Sequence, residues 1–109
     1  METKGKSKMK FQGEEVQLKF GEYSCNNRIA LDFIDSAGYL YTRVTTNLVN
    51  EVLSNENCAF IDTNNNGEEV AEWLSQSDLG KFTGALGFSG YCIYPEFEFK
   101  KEVVEKYKS

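Results

Sequence analysis

The sequence contains no histidine. That absence removes Ser-His-Asp and Cys-His catalysis, histidine-ligated metals and imidazole acid–base chemistry near neutral pH. Proline occurs once, at Pro95, and tryptophan once, at Trp73. Cysteine occurs three times, as Cys25, Cys58 and Cys92, widely spaced and without a Cys-x-x-Cys pair. An odd, scattered set of this kind suggests neither a disulfide framework nor a zinc site. Free thiols among apolar neighbours in a reducing compartment are expected instead. No apolar run nears the ~20 residues that span a bilayer. The stretch from Met1 to Lys10 is basic and polar and lacks the apolar segment of a secretory signal. A soluble, cytoplasmic protein with no membrane contact is the expectation.

What is present is enough for one core. The 109 residues are 40% hydrophobic and 14% aromatic, and a domain of this length buries roughly two-thirds of its unfolded surface. Charge is uneven. Residues 1–10 carry net +3 and residues 100–109 net +2, so the 89 residues between them carry net −10 against −5 for the whole chain. A body of that sign repels nucleic-acid phosphates, and direct nucleic-acid binding is not expected. Residues 1–10 are expected as a flexible basic segment, 11–99 as a single domain, and 100–109 as a charged tail. Val103, Val104 and Tyr107 give that tail the spacing of a frayed helix.

Along the chain, Met9 and Phe11, then Val16, Leu18 and Phe20, alternate with polar residues around Gly13-Glu14-Glu15, which predicts a β-hairpin. Ile29, Leu31 and Phe33 predict a third strand, and the β-branched and aromatic residues 39–47 a fourth. Residues 48–57 are expected as a loop with at most one helical turn, and residues 58–62 as a short apolar run, either a strand or a buried approach to the helix. Asn64, Asn65 and Asn66 are helix-cap candidates, Val70, Trp73 and Leu74 share a helical face, and Gly80 is a stop signal. The spacing predicts a helix over 67–78, with Trp73 buried. Residues 81–90 hold three glycines and are expected as an ordered loop that buries Phe82, Leu86 and Phe88. Residues 91–99 alternate as a last strand, which Pro95 confines to a sheet edge or a bulge. The fold class is α+β: a mostly antiparallel sheet of about five strands with one main helix packed on one face.

By the same alternation, the face away from the helix would show Asp32, Tyr39, Tyr41, Arg43, Tyr94, Glu96 and Glu98. Tyrosines among carboxylates suit a protein-binding surface, because Tyr offers large contact area with a polar tip. Asp32, Tyr39, Tyr41, Tyr94, Glu96 and Glu98 are therefore the candidate partner-binding residues. No catalytic, cofactor-binding or metal-ligating residues are assigned. Gly84, Gly87 and Gly90 precede no helix and no Lys-Ser/Thr, so they form no phosphate cradle. Glu14/Glu15, Glu68/Glu69 and Glu96/Glu98 read as solvated surface. Asp62-x-Asn64-x-Asn66-Gly67 has the start of a calcium loop, but its twelfth position is Trp73 where a bidentate Glu is required. A plain helix cap is the preferred reading of that segment.

Several short motifs occur in a familiar order: Thr45-Thr46-Asn47-Leu48, Ala59-Phe60-Ile61-Asp62-Thr63-Asn64, Leu79-Gly80-Lys81-Phe82-Thr83-Gly84, Ser89-Gly90-Tyr91 and Tyr94-Pro95. Together, over residues 14–99, they resemble a family of small uncharacterised proteins carried by phages, plasmids and conjugative elements of Firmicutes and Bacteroidetes. The resemblance implies a mobile-element accessory protein with no established enzymatic role. The expected function is non-enzymatic inhibition of a bacterial defence nuclease, of anti-CRISPR or other anti-defence type, by an acidic surface that mimics nucleic acid. The alternative is a structural or regulatory homodimer joined through an exposed sheet face or edge.

Overall fold

The computed structural model describes residues 9–108, so the basic segment before Met9 lies outside the described residues. Eight strands form two antiparallel four-stranded sheets rather than one sheet of five. The first sheet has the order β1 (Met9–Phe11), β2 (Glu14–Glu22), β3 (Ile29–Asp35) and β4 (Leu40–Arg43). The second has the order β5 (Thr45–Thr46), β6 (Cys58–Ile61), β8 (Cys92–Phe99) and β7 (Gly80–Ser89). Among the described residues the helices are three and short: α1 (Thr63–Asn66), α2 (Glu68–Gln76) and α3 (Lys101–Lys106).

The β1–β2 turn is tighter than the sequence suggested. Gln12 and Gly13 both adopt positive φ, at 53° and 80°, which matches the twist of a two-residue hairpin loop. Glu14 and Glu15 thereby join β2. The predicted strand over 39–47 is divided between the sheets. Val44 donates its N–H to Leu31 O and accepts at its carbonyl from Asp62 N. That single buried residue carries the chain from the β3 ladder to the β6 side, and alternation alone carries no mark of the switch.

The two sheets share one core. Phe11, Val16, Leu18, Phe20, Leu31 and Phe33 from the first meet Ala59, Ile61, Phe97 and Phe99 from the second, with Val70 and Leu74 of α2. Phe20 and Phe99 join the sheets edge to face at 5.1 Å between ring centroids. Trp73 is half-buried rather than enclosed. Its ring meets Phe33 at 5.1 Å and Phe11 at 6.2 Å, while its indole N–H donates to Lys10 O. The tail expected to fray is docked: Tyr107 is 4% exposed and its carbonyl accepts from Phe20 N.

Helix α2 starts without a side-chain cap. Gly67, at φ 75°, separates it from α1, whose cap is Asp62 accepting from Asn65 N. Asn66 turns away to donate to Arg43 O and to accept from Thr42 Oγ1. Gly80 is not the helix stop but the first residue of β7. A Cβ there would stand 2.0 Å from Glu98 O, so only glycine allows this approach of two backbones. Residues 81–90, expected as a loop, are strand. Gly84 at φ 93° sits in a bulge between Phe82 and Leu86, and it hides the period-2 pattern that would have exposed the strand.

Candidate functional site

The six residues singled out from the sequence do not form one face. Asp32, Tyr39 and Tyr41 belong to the first sheet and its β3–β4 turn, whereas Tyr94, Glu96 and Glu98 belong to β8 of the second. Asp32 is neutralised by a two-pronged pairing with Arg43, whose Nε and second guanidinium nitrogen donate to its two carboxylate oxygens at 2.5 and 2.9 Å. The hydrogen bond to Asp32 outweighs desolvation and raises the Arg43 guanidinium further above its ordinary pKa. Tyr39 is well exposed. Tyr41 is the residue skipped between the pairs Phe33–Thr42 and Ile34–Leu40, and this irregularity turns its ring toward Phe11, at 6.3 Å.

Tyr94 and Glu96 are buried, which corrects the expectation that both face solvent. They do point away from the main core, as alternation requires. The connection over residues 48–57 lies across them. Leu48, Phe60 and Tyr94 make a second small core there, and Gly87 admits it, since a Cβ on Gly87 would stand 2.7 Å from both Leu48 and Phe60. Glu96 is fully buried and accepts from Ser54 N at 2.8 Å, Ser54 Oγ at 2.7 Å and Thr83 Oγ1 at 2.5 Å. Burial alone would raise its pKa, but the bonds from Thr83 and Ser54 outweigh burial and hold it below the ordinary 4.5. Glu96 thus ties the connection to the bulge of β7. Glu98, half-buried beside it, accepts from Asn55 Nδ2 at 3.1 Å. Burial pushes the Cys58 thiol up to about 11, which keeps it protonated and unreactive at neutral pH.

The surface that does stand open is the far half of the β7–β8 hairpin. Strand β8 alternates so that Ile93, Pro95, Phe97 and Phe99 share the core-facing side, and β7 pairs Phe82 with Phe97, Leu86 with Pro95 and Phe88 with Ile93. Phe97 and Phe99 are sealed in the core. Beyond the bulge the same face continues without cover from the described residues: Leu86 is 50%, Phe88 54% and Ile93 53% exposed, and Tyr91 at the turn is fully exposed. Gly90, at φ 61°, opens that two-residue turn between Ser89 and Cys92. Residues 82–95 carry no charged side chain, in a chain that is 27% charged. That gap in charge was the available signal. Reading Leu86 and Phe88 as buried loop residues missed it.

A family model described as a domain of unknown function (DUF4313) matches residues 17–109. The match takes in the whole hairpin, the connection across Glu96 and helix α3. No curated protein and no solved structure matches the chain.

Proposed function

The chain belongs to the DUF4313 family, and from that premise we propose that it is a non-enzymatic accessory protein that works by binding another protein through the open half of its β7–β8 hairpin. The observation that carries this reading is the uncovered continuation of a core face: Leu86, Phe88 and Ile93 in line with buried Phe97. Contiguous apolar surface on a small protein marks a contact site, and aromatic residues such as Phe88 and Tyr91 supply most of the energy at such contacts.

The resemblance to mobile-element proteins supports a basic, nucleic-acid-binding defence nuclease as the partner. The acidic body, net −10 over residues 11–99, favours its encounter with a basic surface. In this reading charge steers and the hairpin grips, with Asp32, Glu96 and Glu98 released from the contact role that alternation suggested. The test is a titration against host defence nucleases with and without their nucleic acid. Phe88→Ala and Tyr91→Ala should each weaken binding roughly tenfold or more, as anchor truncations do. Rising salt should slow association as screening shortens to ~8 Å at physiological ionic strength. Binding that survives both truncations would refute the reading.

A further inference from the structure

Resting on the reading of the hairpin as the contact surface, we infer that this surface is built from two copies of the chain, joined antiparallel along the outer edge of β7. Strand β7 ends the order β5-β6-β8-β7, so among the described residues its far side has no neighbouring strand. Among the described residues, no backbone hydrogen bond outside the β7–β8 ladder involves residues 86–89. Edge strands are commonly protected by charge, proline or a bulge. In β7 the only charged residue is Lys81, and the bulge at Gly84 lies before Leu86. Residues 86–89 are therefore a short edge without charge, proline or bulge, bounded by the Gly84 bulge on one side and the Gly90 turn on the other.

Charge selects the occupant. Two copies of a chain with net charge −5 repel each other over most of their surfaces. The uncharged stretch over residues 82–95 is where they approach at the least of that cost. Side-chain period selects the register, because a slip of one residue would send the apolar side chains of the two copies to opposite faces. A two-fold axis through Gly87 keeps them together, with Leu86 of one copy opposite Phe88 of the other. Leu86, Phe88, Ile93 and Pro95 of both copies then line one continuous apolar face, twice the width that a single copy presents.

Sedimentation equilibrium of the full chain tests the pairing. The apparent mass should rise with concentration from 12.4 kDa to twice that value, and added salt should strengthen association by screening the acidic bodies. Phe88→Lys and Leu86→Lys should each shift the midpoint at least tenfold toward monomer with the circular dichroism spectrum unchanged. The outward-pointing amides among residues 86–89 in the wild-type chain, those not already bonded to β8, should gain hydrogen-exchange protection only above the midpoint, which decides the matter even where a variant fails to fold. A monomer at every concentration, a dimer indifferent to both folded variants, or protection gained elsewhere would overturn the pairing. A monomer whose hairpin truncations still abolish nuclease binding would sink the pairing and leave the contact reading standing. A dimer whose partner binding survives those truncations would do the reverse.

Discussion

Glu96 sits in the second sheet's interior with no cation beside it among the described residues, and what keeps it ionised is the convergence of Ser54 and Thr83 on its two oxygens. Its folded pKa lies below the ordinary value, so its contribution is present above that value and lost as pH falls through the folded one. Glu96→Gln should therefore lower stability by about 1.5–3 kcal/mol at pH 7, the range for hydrogen bonds to a charged group. The difference from wild type should shrink in urea titrations run progressively below pH 4.5. A gap that persists unchanged at low pH would show that shape, not charge, matters there. Trp73 is the opposite case: half-buried, yet tied to Phe33, Phe11 and Lys10 O. Trp73→Ala should cost about 3 kcal/mol, the low end for large truncations, read from the denaturation midpoint. Alternation gave the directions of both Tyr94 and Glu96 correctly. It could not disclose that the polar, pattern-poor residues 48–57 fold back over that face.

At the level of elements, the strands with clean alternation were legible: β2, β3 and β8 lie where Val16, Leu18, Phe20, Leu31, Phe33, Phe97 and Phe99 placed them. Strand β7 was not, because its glycines serve the neighbours rather than a turn. Gly80 lets its backbone approach Glu98 O, Gly84 bulges, and Gly87 makes room for Leu48 and Phe60. A residue chosen for the space that another segment needs leaves no periodic trace in its own. Gly80→Ala should accordingly destabilise by about 3 kcal/mol, the upper end of the usual overpacking range, because the obstructing atom is backbone and cannot swing aside. A variant that melts like the parent would show that β7 begins later than Gly80. The split of residues 39–47 between sheets was equally hidden, since Val44 is buried and apolar in either arrangement.

Across the whole molecule, the inner faces of the two sheets and α2 and α3 enclose one core that stops at the bulge of β7. The C-terminal helix is part of that enclosure through Tyr107, and Tyr107→Ala should cost about 3 kcal/mol as a buried aromatic truncation. Calorimetry would check it, with an unchanged melting temperature pointing to a tail that only rests on the surface. Past the bulge, apolar side chains continue where the fold has no further use for them, and the functional reading rests on that surplus. Equilibrium urea unfolding of Phe88→Lys, beside Phe97→Lys and at concentrations below the dimer midpoint, tests it most directly. The account predicts that Phe88→Lys stays within about 0.5 kcal/mol of wild type, as a surface substitution does, while Phe97→Lys does not fold. A loss of 2 kcal/mol or more at Phe88 would mean that the hairpin face is core, and that the fold itself consumes the surface assigned to a partner.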